Sequence, residues 1–196
     1  MTDSIVEQAS IQDRDLLLRL SLYFDSFDQK VRQGQGWFIF NADGGRGRRI
    51  SSFIERQLNE HRPGVHSFVI SWRDFALSAY VNEVGIPQLE PQARQPGATP
   101  RLSKEVAFAR MVTDDVWLRC SSAELLMLVG LKPAHAHEVE FLDRAIEERY
   151  RQRLATILVT PETPQELEAN VASVDPTQQM WDRLFTRMYE TSLVAL

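Results

Sequence analysis

Only one cysteine, Cys120, occurs among 196 residues, so no intramolecular disulfide can form. No cysteine or histidine grouping has zinc-site spacing either, and no metal centre is expected. Positive charge is also in short supply: 22 Lys and Arg against 27 Asp and Glu leave a net charge of -5. Surfaces devoted to nucleic-acid phosphates usually show as basic domains. Nucleic acid is therefore not indicated as the main partner, although a local basic patch is compatible with the total. No apolar run approaches the roughly 20 residues of a membrane span. The polar, acidic opening MTDSIVEQASIQDRD lacks the charged-then-apolar pattern of a signal peptide. A cytoplasmic protein with no membrane partner is the expectation. No internal repeat is visible.

What remains is an ordinary globular composition, 43% hydrophobic and 25% charged, in a length suited to one core. Residues 1–12 read as a flexible polar N-terminus and 13–196 as a single domain. Leu16, Leu17, Leu20, Phe24, Phe27 and Val31 recur at spacings of three and four, which predicts a helix with one buried stripe. Trp37 to Phe40 is a short continuous apolar run, as in a strand buried on both faces. Ser67–Trp72, Val116–Leu118 and Ala155–Thr160 read as further strands and Ser192–Leu196 as a last one, with helical patterns between them. Glu124 to Val129 reads as an apolar extension of the core. The alternation predicts an α/β three-layer sandwich around a mainly parallel five-stranded sheet. Residues 86–103 hold four of the nine prolines and little apolar content. They predict a mobile Pro-rich surface loop, with a functional lid as the alternative.

The organising stretch is Gly36 to Leu58, GWFIFNADGGRGRRISSFIERQL. It reads as a strand, a glycine-rich turn and an amphipathic helix, the layout of a phosphate-binding loop. Such a loop needs G-x-x-x-x-G-K-[ST], in which backbone N–H groups cradle phosphates, Lys reaches the β/γ oxygens and the hydroxyl holds Mg²⁺. Here Ala42 stands for the first glycine, followed by Asp43, Gly44, Gly45, Arg46 and Gly47. Arg48 replaces the lysine and Arg49 the hydroxyl. A planar guanidinium does not substitute for a compact ammonium in a tight loop, and Arg49 places positive charge where the cation should sit. The bland reading is a glycine turn with three exposed arginines. The alternative is an anion site at a helix N-terminus built on Gly44, Gly45, Arg46, Gly47, Arg48 and Arg49.

Several collinear segments then carry a resemblance. The helix ending YFDSF lies shortly before the GQGWFIF strand, followed later by AIEERYRQRLATILVTPETPQELE and by MWDRLFTRM. Together they resemble the bacterial AAA+ helicase loaders and transposase helpers of the DnaC/IstB type, over roughly residues 14–196, with DnaA-related replication regulators a close second. The resemblance implies a P-loop NTPase (AAA+)-like core without a lid domain. It also implies a second magnesium element after an apolar strand, placed here at Cys120 and Ser121, neither of which is a carboxylate. It implies a sensor at the end of the Ala155–Thr160 strand, where Thr160 is followed by Pro161. It implies an arginine acting on a neighbouring subunit, matched by Arg183, with Arg187 equally eligible. Asp114 and Asp115 read as surface residues, His135 and His137 as a solvated approach to a helix, and Cys120 as a small buried hydrophobe. The run Glu147-Glu148-Arg149 with Arg151 and Arg153 reads as a solvated helix end.

Three functions compete. An active ATPase of the helicase-loader type needs phosphate capture, Mg²⁺, a base and γ-phosphate sensing, and all four are compromised. A nucleotide- or phosphate-binding protein would use Arg46, Arg48 and Arg49 without efficient hydrolysis. The reading adopted is a catalytically degenerate, pseudo-ATPase domain, not an enzyme, acting as a protein-interaction or regulatory module linked to DNA replication or a mobile element. Its expected partner is another protein, such as a competent AAA+ paralogue or a helicase, and oligomerisation is compatible with it. No cofactor is expected, and ATP or ADP is admitted only as a doubtful ligand with no Mg²⁺ site.

Overall fold

The computed structural model describes residues 11–95 and 99–196; the expectation for residues 1–10 lies outside them. Two helices, α1 (Ile11–Asp25) and α2 (Phe27–Arg32), lead into β1 (Gly36–Ile39). They are followed by α3 (Gly44–His61), β2 (Ser67–Ser71), α4 (Trp72–Tyr80), a π-helical turn (Val81–Gly85), α5 (Ile86–Ala93) and α6 (Pro100–Ser122). The chain ends with β3 (Leu125–Val129), α7 (Ala136–Gln152), β4 (Ala155–Val159), α8 (Pro164–Val174), α9 (Gln179–Thr191) and β5 (Ser192–Ala195).

The five strands pair in the order β2-β3-β4-β1-β5, and every pairing is parallel. A parallel sheet is covered on both faces, so its strands are apolar on both, and alternate residues enter two separate cores. Phe38, Phe40, Ile70, Leu126, Leu128 and Leu158 pack with Phe75, Phe141, Leu142, Leu167 and Leu184 from helices on one side. Trp37, Ile39, Met127, Ile157 and Val159 pack with Leu17, Leu20, Phe24, Ile50 and Ile54 from α1 and α3 on the other. The result is the expected three-layer α/β sandwich. β1 approaches β4 so closely that a Cβ on Gly36 would sit 1.8 Å from the Thr156 carbonyl oxygen, so only glycine opens this strand.

Two expectations are corrected. Val116–Leu118 is not a strand but part of the 23-residue helix α6. Three apolar residues fit either period, and here Val116 and Trp117 pack sideways against the core while Leu118 faces solvent. The strand is instead Leu125–Val129. Residues 86–93 and 100–103 are helical: Pro100 opens α6, where a missing N–H costs nothing, and Pro87 and Pro91 are carried in α5, which runs on from α4 through the π-helical turn. The start of α8 follows its sequence signal. The Thr163 hydroxyl accepts from Glu166 N at 3.1 Å, and the Glu166 carboxylate accepts from Thr163 N at 2.8 Å.

Arg149, expected on a solvated helix end, is 1% exposed. Its guanidinium donates to the carbonyls of Cys120, Ala123 and Ala155 and to the Thr156 hydroxyl at 2.5–2.8 Å. It therefore bonds the end of α6 to the start of β4. Burial lowers its pKa to about 10, which leaves it cationic at neutral pH.

Candidate phosphate-loop site

The phosphate-loop candidate starts where β1 runs out. Phe40 N donates to Ala195 O at 2.8 Å, Asn41 N to Glu162 O at 3.0 Å, and Ala42 N to Thr160 O at 2.9 Å. The loop is thus tied to the ends of β5 and β4 on both sides. Asn41 and Gly44 take positive φ, 55° and 41°, which turns the chain into α3. Gly47 is required sterically: a Cβ there would lie 2.5 Å from the Ala42 carbonyl oxygen. The glycine pattern therefore serves the same tight strand-to-helix turn that a phosphate loop uses.

Its side chains do something else. The Arg46 guanidinium turns back under the loop, donating from Nη1 to Asn41 O at 2.9 Å and Phe40 O at 3.2 Å, and from Nε to Asp13 Oδ1 at 2.9 Å. Arg49 Nη2 donates to Asp13 Oδ2 at 2.5 Å, and its Nη1 lies over Gly45. Asp13, on the first turn of α1, is 4% exposed. Burial alone would raise its pKa, but the hydrogen bonds and charges of Arg49 and Arg46 outweigh it and hold the carboxyl below its ordinary value. Two of the three arginines are thus spent on one internal carboxylate, and Arg48 alone of the three stays on the surface without an ion pair among the described residues.

The neighbouring strand ends complete the crevice. β3 runs out at Val129, followed by Gly130 and Leu131, whose N–H groups both donate to Val159 O. Thr160 is fully buried; its hydroxyl donates to Leu131 O at 2.7 Å and accepts from Glu162 N at 3.2 Å. Glu162 is a residue that sequence reasoning missed. Its carboxylate is 6% exposed, accepts from Asn170 Nδ2 at 2.5 Å and stands 3.6 Å from Lys132 Nζ, leaving Oε2 unbonded. In the sequence it stood between two prolines and read only as the stop of a strand.

No family model matches the chain, and no curated protein does. Among solved structures, the crystal structure of the DnaC helicase loader is similar to it, with a TM-score of 0.60 and 14% identity over 95% of this chain and 90% of that one. The chain has a DnaC-like AAA+ fold.

The structure does not place the pair expected as a second magnesium element at a strand end. Cys120 and Ser121 lie in the last turn of α6, both buried, with the Cys120 carbonyl on Arg149 and the Ser121 hydroxyl on Leu118 O at 3.2 Å. They were misplaced because the preceding apolar run is helix. The strand end that faces the crevice is that of β3, and Val129, Gly130 and Leu131 carry no carboxylate there. Burial pushes the Cys120 thiol up to about 12.

Arg183 and Arg187, on α9, face α7. Arg183 Nη2 reaches Asp143 Oδ2 at 2.7 Å, and Arg187 pairs with Glu147 and, at 3.9 Å, with Asp143. His135 caps the N-terminus of α7, where its backbone N–H and that of Ala134 donate to Glu138. Among the described residues no group of three or more His, Cys, Asp or Glu is placed to hold a metal ion. No helix of theirs is long and apolar enough to cross a membrane.

Proposed function

We propose that this chain is a catalytically degenerate AAA+ domain that works by docking to another protein, a non-hydrolysing regulatory module linked to DNA replication or to a mobile element. The observation that carries the reading is that two of the three arginines of the candidate phosphate loop are engaged within the chain. Arg46 fills the space beneath the turn on the Phe40 and Asn41 carbonyls, and the Asp13 carboxylate takes up both Arg46 and Arg49. Phosphate capture, Mg²⁺ binding and γ-phosphate sensing act together in phosphoryl transfer. The lysine position holds Arg48, the Mg²⁺ hydroxyl position holds Arg49, and the strand end that would carry a metal carboxylate holds Val129 and Gly130. Glu162 adds a buried negative charge beside the loop. A nucleotide-binding reading that uses the Arg46 and Arg49 side chains needs them to leave Asp13 first. The partner class, a helicase or a competent AAA+ protein, is drawn from the likeness to a helicase loader.

The test has two arms. Melting curves with millimolar ATP or ADP, with and without Mg²⁺, are expected to show no shift and no ATP turnover. A ligand at 100 times its Kd would add about 2.7 kcal/mol, or roughly 5–10 °C in a domain of this size. A Mg²⁺-dependent shift with turnover overturns the catalytic half. Size-exclusion mixing with the replicative helicase and with any AAA+ protein encoded beside it is expected to yield a complex with one of them. No complex with either overturns the docking half.

A further inference from the structure

Helix α6 hides one face and leaves an apolar one in water. Val106, Thr113 and Cys120, seven apart, are its buried seam. Around the helix, Phe108 is 62% exposed, Met111 60%, Val112 43% and Leu118 60%. Their spacing places them on one stripe, with Lys104 four residues before Phe108 and Asp115 four residues after Met111. Exposed apolar groups scattered singly need no explanation, whereas a contiguous apolar stripe rimmed by charge marks a contact surface. The apolar ground continues sideways into a groove of about 480 Å³ between α5 and α6, bordered by Tyr80, Leu89 and Leu102.

The charges on this helix say what fits. Arg101 is paired with Glu105 and Arg110 with Glu90, each at 2.8 Å. Lys104 has no ion pair among the described residues, and Asp115 has only Arg119 at 3.9 Å. The face thus carries an unengaged cation, Lys104, and a weakly engaged anion, Asp115. When two copies of a helix pack antiparallel about a two-fold axis, the numbers of facing residues share a constant sum, and each contact occurs twice. Setting Phe108 against Met111 sets Lys104 against Asp115 at the centre of the face and brings the stem of Arg101 near Leu118. The register that covers the aromatic ring is therefore also the one that joins the unengaged charges. An in-register parallel pairing would face Lys104 with Lys104 and Asp115 with Asp115.

We propose that the exposed face of α6 is the interface of a two-fold antiparallel dimer of this chain, in the register Phe108 to Met111 and Lys104 to Asp115. The inference does not rest on the reading of the phosphate loop. Sedimentation equilibrium of the full chain between 1 and 200 µM, concentrations of the order at which weak isologous dimers of modest area assemble, is expected to show a monomer–dimer equilibrium. Phe108→Asp is expected to yield monomer with an unchanged far-UV spectrum, since the side chain contacts solvent. Lys104→Glu and Asp115→Lys are each expected to raise the dissociation constant by roughly tenfold through like-charge facing. The double variant Lys104→Glu/Asp115→Lys is expected to return it to within about threefold of wild type. A wild-type chain monomeric throughout overturns the proposal and leaves the stripe to a different partner. A dimer indifferent to Phe108→Asp, or a double reversal that fails to rescue, overturns it as well.

Discussion

Replacing Asp13 by asparagine removes one negative charge and keeps the shape and one acceptor oxygen, which isolates the clamp on the phosphate loop. Asp13 is almost wholly buried and Arg46 nearly so, with side-chain exposures of 5% and 14%, whereas Arg49 is 46% exposed. A hydrogen bond to a charged group is worth about 1.5–3 kcal/mol. The half-exposed Arg49 contact is screened and adds about 1 kcal/mol at most. Arg46 keeps its bonds to the Phe40 and Asn41 carbonyls, so it is not left wholly unpaired. The expected loss for Asp13→Asn at pH 7 is therefore about 2–3 kcal/mol, measured by urea unfolding. Its pH dependence has a fixed sign. The folded-state pKa of Asp13 lies below its ordinary value, so the stabilisation is fully present above the unfolded-state pKa of about 3.9. It is lost as pH falls through the folded-state pKa. The gap between wild type and variant should stay constant from pH 7 to 5 and close only below about pH 4. A loss under about 0.5 kcal/mol, the scale of an ordinary surface change, or a gap that persists at acid pH, would refute the clamp.

Three further outcomes follow from single positions. Arg149→Met should cost about 3–5 kcal/mol, because three carbonyls and a hydroxyl lose their donor in the interior, while Arg149→Lys should retain part of that stability; equal losses for both would sink the account of the guanidinium fork. Gly47→Ala should destabilise by more than the roughly 1 kcal/mol that alanine gains over glycine in a helix interior, since its Cβ would lie 2.5 Å from Ala42 O; a rise in melting temperature would contradict the close approach. The Cys120 thiol, pushed up to about 12 by burial, should be silent toward a thiol reagent at pH 8 in the native state and react fully in urea, and native-state reaction at the denatured rate would show the helix end open.

The sheet was legible because its strands are buried on both faces and announce themselves as runs. Trp37–Phe40 and Ala155–Val159 fit no amphipathic helix, and glycine or proline bounds each. Burial also explains the failures. Val116-Trp117-Leu118 has a strand's composition but too few residues to reveal a period, and only packing makes it the last part of α6. The prolines of 86–103 suggested an unstructured loop, yet Pro100 opens α6, where proline is favoured, and Pro87 and Pro91 are carried within α5. Arg149 looked solvated because charge in a sequence says nothing about which face of a helix it occupies. Its partners are main-chain carbonyls, which have no side-chain signature.

The phosphate loop divides along the same line. Its backbone shape was readable, because Gly47 and the turn glycines answer to sterics within a few residues. The fate of its arginines was not, because the group that claims them, Asp13, lies 33 and 36 residues earlier on a different helix. Seen in sequence, three arginines at a helix start suggest an anion site; seen with Asp13, Arg46 and Arg49 are the counterions of a buried acid. The same long-range pairing accounts for Glu162, whose Lys132 and Asn170 partners come from the β3–α7 connection and from α8. Internal ion pairs thus join crevice residues to distant elements, Arg46 and Arg49 to Asp13 and Glu162 to Lys132. Such pairs hold the turn through contacts within the chain, and that is the physical ground of the proposal that this domain works without hydrolysis.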